Sequence, residues 1–158
     1  EIFNKIKEIK NTVVGKLPNI YMLHGDLRDE EMNGLYNHPK VKAHVSFTHG
    51  EGFGRPLLEA TMTGLPVIAS AWSGHLDFLS QNDSLLLAGN LVKVPVSQIW
   101  KDIVMEESQW FNVDEQQAYK ALNYAFKNED DIKSKANKLM KTNRQNKIYK
   151  TKNCFIFS

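Results

Sequence analysis

A chain of 158 residues, 42% of them hydrophobic, is long enough for one domain with a genuine core and too apolar for wholesale disorder. Its net charge of +2 is small, no apolar run approaches the roughly 18 residues that span a bilayer, and no signal peptide opens the chain. One cysteine, Cys154, excludes an internal disulfide framework and fits a reducing, cytoplasmic compartment. The first residue is Glu1 and not Met, which reads as a piece cut from a longer chain.

Ile2, Ile6 and Ile9 recur at helical spacing among Lys5, Lys7 and Lys10, predicting an amphipathic helix over residues 1–11. Gly15 and Pro18 punctuate the chain, and the apolar residues 20–23 predict a short strand ending at His24 and Gly25. Asp29, Glu30 and Glu31 stand early in the next element, where acids suit a helix N-terminus. That helix carries Met32, Leu35 and Tyr36 and ends before Pro39.

Residues 41–73 organise the rest. Apolar Val41, Ala43, Val45 and Phe47 alternate with Lys42, His44, Ser46 and Thr48, the period of a strand with one strongly buried face. After Gly50, Gly52 and Gly54 comes Pro56, which suits a first helical turn because its missing N–H would be unpaired there. The helix stops at Gly64, a good left-handed cap residue, and residues 65–69 predict the next strand. Strand, loop, helix and strand within about 30 residues form a βαβ unit. The strands are then parallel and the fold class is α/β, a Rossmann-like parallel sheet flanked by helices.

The loop has chemical consequences. Three glycines let a ligand come close to the main chain, and the N–H groups opening the helix favour an anion. The spacing is G-x-G-x-G, not that of dinucleotide folds, and no Lys-Ser/Thr follows as in a P-loop; the glycines alone leave a phosphate site and a tight turn both open. Glu51 lies in the loop and Glu59 in the helix, with seven residues between them. Acids beside a phosphate make sense as acceptors of hydrogen bonds from sugar hydroxyls. The plain alternative is a loop charge and a solvated helix residue.

The run Glu51-Gly52-Phe53-Gly54-Arg55-Pro56-Leu57-Leu58-Glu59-Ala60, continued by Gly64-Leu65-Pro66-Val67-Ile68-Ala69-Ser70, resembles the E-x7-E signature of retaining GT-B glycosyltransferases of the family 4 group. There the signature belongs to the C-terminal, donor-binding domain. The similarity takes in His24-Gly25-Asp26 before it and Ser73-Gly74-His75-Leu76-Asp77 behind it, residues 17–87 in all. The resemblance implies a parent enzyme that moves a hexose from a nucleotide diphosphate sugar, of UDP, GDP or ADP type, to an acceptor with retention. It implies no obligatory metal and no further cofactor.

By the same resemblance Glu51 is the catalytic residue, hydrogen-bonded to the transferred sugar, and Glu59 holds the ribose. The amides of Phe53, Gly54, Leu57 and Leu58 hold sugar and diphosphate, with Gly52 and Arg55 in the same donor-binding run. Asp26 and Leu27 lie where the base would pass. Two family features have no counterpart: the N-terminal acceptor domain, and an Arg and Lys pair that clamps the diphosphate, which Arg55 is not. The chain is therefore expected to lack its acceptor domain and the leading strand of the donor domain, and to transfer nothing alone. A nucleotide-sugar epimerase of the same fold and a non-catalytic nucleotide-binding or interaction module are the alternatives.

Beyond the signature, Trp72 offers a stacking surface or a core or interface residue, and His44, His49 and His75 lack metal-ligand spacing. Residues 85–87 and 91–94 predict short strands separated by a hairpin-like turn at Gly89 and Asn90. Trp100, Ile103 and Val104 predict a short amphipathic piece, and Trp110 and Phe111 a loop. Ala118, Ala121, Leu122, Ala125 and Phe126 predict a helix over residues 115–127. Residues 133–152 then hold eight Lys or Arg and no acid, so the charge divides as −6 over residues 1–132 and +8 over the remainder. This sets a nucleotide-sugar-binding domain, 1–132, against a basic C-terminal helix or tail, 133–158. A solvated helix face or a frayed end is the expected reading of the basic run, since aromatic residues are not interleaved among the bases, with a nucleic-acid- or membrane-binding tail as the alternative.

Overall fold

In the computed structural model, which describes residues 2–100, 103–105 and 107–146, β1 (His44–Ser46), β2 (Val67–Ser70) and β3 (Leu85–Leu87) form a parallel sheet in that order. The helices are α1 (Ile2–Thr12), α2 (Asp29–Tyr36), α3 (Arg55–Met62), α4 (Glu115–Lys127) and α5 (Glu129–Gln145). Every residue of β2 is buried, as a central parallel strand covered on both faces should be. Its side chains alternate: Val67 and Ala69 join a core with Tyr36, Leu57, Leu58 and Leu139, and Ile68 joins Leu87, Ala125 and Ile132 on the other face. Helices therefore flank the sheet, and the expected α/β class is what the chain forms.

α3 is the crossover between β1 and β2. Pro56 stands in its first turn and Gly54, at φ 80°, leads into it. At its far end Gly64 takes φ 72°, with Leu65 N–H donating to the Ala60 carbonyl at 3.1 Å and Gly64 N–H to the Thr61 carbonyl at 3.0 Å; this is the Schellman closure that glycine favours. Leu57 and Leu58, 2% and 0% exposed, contribute about 2 kcal/mol each through burial.

α5 crosses the expected boundary at residues 132 and 133 without a break. Glu129, Asp130 and Asp131 fill its first turn, where acids suit the helix dipole. Its later residues meet α3: Lys133 Nζ donates to the Gly64 carbonyl at 2.8 Å, Arg144 to the Met62 carbonyl at 2.8 Å, and Asn143 Nδ2 to Thr61 Oγ1 at 3.0 Å. The basic run is thus, as far as residue 146, one side of a packed helix. Residues 147–158, with Cys154 and the end of the basic run, lie outside the described residues.

Five expectations need correction. Residues 20–23 form no ladder; Ile20, Tyr21 and Leu23 are exposed, and Ile20 and Met22 instead share a groove with Phe3 and Ile6 of α1. A strand exists only where a second backbone pairs with it. The strand predicted over residues 41–48 pairs only at His44–Ser46, and Val45 and Phe47 are exposed, because the cover on their face, through Ala125 and Ile132, lies over Ile68 and Leu87.

Gly89 and Asn90 make no hairpin. They begin β4 (Gly89–Lys93), which pairs antiparallel with β5 (Gln109–Val113) in a separate sheet. A methyl group at Gly89 would fall 2.0 Å from the Asn112 carbonyl oxygen, so this glycine serves close pairing and not a turn. Trp110 and Phe111 accordingly stand in a strand and not in a loop. Trp100 and Val104 form an isolated bridge with Trp100 and Ile103 exposed, so no amphipathic element buries them. The predicted helix over residues 115–127 is α4, though Leu122 and Phe126 face solvent while Ala125 packs on the sheet.

Candidate functional site

Two loops leave the carboxyl ends of β1 and β2 and grip one another. Glu51 N–H donates to Ser73 Oγ at 2.9 Å, Ser73 Oγ–H donates to the Glu51 carbonyl at 2.6 Å, and Gly74 N–H donates to the same carbonyl at 3.0 Å. The approach is so close that a methyl group at Gly74 would lie 2.1 Å from the Gly52 carbonyl oxygen. Ser73 adopts φ 87° and ψ −168°, a region that is essentially glycine's and costs another residue about 1–3 kcal/mol. Among the described residues it alone combines a side chain with positive φ.

Gly52 differs from its neighbours. It is exposed, its φ is not positive, and a methyl group there would meet nothing within 4 Å. The fold itself sets no need for glycine at this position. Gly54 then turns the chain into α3, whose amino end has no side-chain cap. The Leu58 N–H closes the first turn on the Gly54 carbonyl at 3.1 Å. The N–H groups of Gly54 and Leu57 precede that bond and have no intrahelical acceptor.

Beneath the loops lies a buried polar floor. His75 is fully buried, with Nε2 2.7 Å from the Ser70 carbonyl oxygen; a carbonyl only accepts, so Nε2 carries the hydrogen. His75 Nδ1 and Thr48 Oγ1 are buried without a hydrogen-bond partner. Such orphans are uncommon in native interiors.

Glu59 is 8% exposed and pairs with Arg55, Nε to Oε1 2.6 Å. Tyr36 reaches the same carboxylate: burial first, and then the charge and hydrogen bond of Glu59, push its hydroxyl up to about 12. The Glu51 carboxylate, by contrast, has no hydrogen-bond or ion-pair partner among the described residues. Asp26 and Leu27 are exposed in the segment before α2, and no hydrogen bond or ion pair among the described residues joins them to the glycine loop.

An aromatic wall bounds one side. His49 stacks on Trp110 at 4.0 Å and Trp72 on Phe111 at 5.8 Å, with ring planes 9° and 6° apart. His49 and Phe111 also exchange hydrogen bonds, Phe111 N–H to the His49 carbonyl at 3.0 Å and His49 Nδ1 with the Phe111 carbonyl at 2.9 Å. The β4–β5 sheet is thereby tied to the loop after β1. Trp72 is at once a stacked partner of the buried Phe111 and 41% exposed.

The sequence marked Glu51, Gly52, Gly54 and Glu59 but missed Tyr36 as the partner of Glu59 and Ser73 as the partner of Glu51. For Ser73 the available signal was the Ser73-Gly74 dipeptide, which marks a turn; for Tyr36 there was none, since contacts between elements leave no local pattern. Among the described residues no group of three or more His, Cys, Asp or Glu is placed to hold a metal ion, and no helix is long and apolar enough to cross a membrane. The family described as glycosyl transferases group 1 matches residues 14–106, more than half of the chain and all of the loop, α3 and the three parallel strands. No curated protein and no solved structure matches it.

Proposed function

Since the chain belongs to the glycosyl transferases group 1 family, we propose that its two gripping loops bind a nucleotide diphosphate sugar for transfer of the hexose to an acceptor with retention, in the manner of the family 4 enzymes. The observation that carries the proposal is the open main chain at Gly52 running into an uncapped helix end at Gly54. The N–H groups of Gly54 and Leu57, with that of Phe53, hold the diphosphate. When the bond from the anomeric carbon to the diphosphate breaks, charge grows on the departing phosphate oxygen, and donors already fixed in the fold stabilise it without reorganising.

Glu51, whose main chain is pinned and whose carboxylate is unengaged, takes hydroxyls of the hexose. Glu59 takes the ribose hydroxyls with the carboxylate oxygen that Arg55 leaves. Its negative charge sits near a diphosphate, and the Arg55 guanidinium at 2.6 Å offsets the repulsion this would cause. Leu58 contributes through packing, its N–H being spent within α3. Asp26 and Leu27 are carried as contacts to the base.

A thermal-shift panel with UDP, GDP and ADP tests the proposal. At a concentration about 100 times Kd, the preferred nucleotide stabilises the chain by about 2.7 kcal/mol, a rise of roughly 5–10 °C in Tm. Glu59→Ala lowers the melting point of the free chain and also shrinks the ligand-induced rise. If none of the three nucleotides moves Tm, the loops do not bind a nucleotide donor.

A further inference from the structure

We infer that Ser73 is a positioning residue for Glu51, holding its main chain so that the free carboxylate meets the donor's hexose; this rests on the role proposed for Glu51 above. Ser73 occupies a backbone region that glycine would enter without strain, φ 87° and ψ −168°. A glycine there would be the better choice for the loop alone. What glycine lacks is the hydroxyl, and that hydroxyl binds both main-chain groups of Glu51, accepting from its N–H at 2.9 Å and donating to its carbonyl at 2.6 Å.

The clamp is itself held on both sides. Gly74, the next residue, donates to the same Glu51 carbonyl at 3.0 Å, and Trp72, the preceding one, stacks on the buried Phe111. Glu51 cannot turn about its own φ or ψ without breaking one of these three hydrogen bonds. Its carboxylate stays unengaged while its backbone is fixed. Fixed geometry of this kind sharpens contacts to a ligand because less ordering remains for the moment of binding.

The test compares the 158-residue chain with Ser73→Gly, Ser73→Ala and Glu51→Gln. Each is titrated by calorimetry with UDP, GDP and ADP and with UDP-glucose, GDP-mannose and ADP-glucose, and each is melted without ligand. In Ser73→Gly the ratio of nucleotide-sugar affinity to nucleoside-diphosphate affinity falls about tenfold, while Tm holds or rises and nucleoside-diphosphate affinity stays within about twofold. Ser73→Ala loses the same ratio, and Glu51→Gln reproduces the loss. A hydroxyl that only braces the loop would lower Tm and weaken both classes of ligand together, which would overturn the inference. So would an unchanged ratio in Ser73→Gly, or a ratio that survives in Glu51→Gln. If the parent chain binds nucleotides and Ser73→Gly behaves like it, the positioning role alone falls; if the parent chain binds none of the six ligands, the donor site falls and Ser73 with it.

Discussion

Glu59 is paired with the Arg55 guanidinium, and its charge is felt by the nearby buried Tyr36 hydroxyl. Tyr36 keeps its proton to about 12 in the folded chain, against an ordinary value of 10.0, chiefly because it is buried. The folded state therefore holds this proton more tightly than the unfolded one. The associated stability is fully present below pH 10 and is lost as pH rises through about 12, an effect of about 2–3 kcal/mol. Urea unfolding between pH 9 and pH 12 should show the parent losing stability more steeply than Tyr36→Phe; parallel curves would contradict the burial of that hydroxyl. At this scale the sequence made the two acids legible through their spacing. It could not show that one is buried and paired and the other unengaged, since that depends on Tyr36 and Ser73 arriving from distant parts of the chain.

α3 and α5 show which interactions join elements. Their contact carries a buried polar link, Asn143 Nδ2 to Thr61 Oγ1 at 3.0 Å, with Asn143 only 1% exposed. Removing it takes away the hydrogen bond that Thr61 Oγ1 accepts, leaving only the one it donates to the Leu58 carbonyl at 2.7 Å, and opens space in the interface. Asn143→Ala should therefore cost about 2–3 kcal/mol by denaturant unfolding, whereas Lys141→Ala on the exposed side of the same helix should stay within about 0.5 kcal/mol. Equal effects would mean that α5 is not seated on α3 as described. The βαβ unit was legible because Gly54, Pro56 and Gly64 mark the ends of α3 where the apolar period changes to that of a strand. β4 and β5 were not, because Gly89 looks like a turn residue until the strand that needs its missing side chain is known. The charge count likewise could not show that Lys133 and Arg144 cap the carbonyls of Gly64 and Met62.

At the scale of the molecule two places at opposite ends of the parallel strands can be compared as seats for an anionic ligand. One is the pair of loops at the carboxyl ends of the parallel strands, where open α/β sheets bind ligands. The other lies at the opposite end, a groove of about 240 Å³ lined by Tyr36, His38, Lys42, Thr63, Glu129 and Lys133. Its two lysines are already engaged, Lys42 with Glu129 and Lys133 with the Gly64 carbonyl, which leaves little there for a diphosphate. At the loops, instead, the N–H groups of Gly54 and Leu57 have no intrahelical acceptor. Amide chemical-shift mapping of the ¹⁵N-labelled chain on titration with the preferred nucleoside diphosphate decides between them. The amides of Gly52, Gly54 and Leu57 should move most, with Ser73 and Gly74 following; shifts centred on His38, Lys42 and Lys133 that leave Gly54 and Leu57 unmoved would contradict a donor site built on the glycine loop.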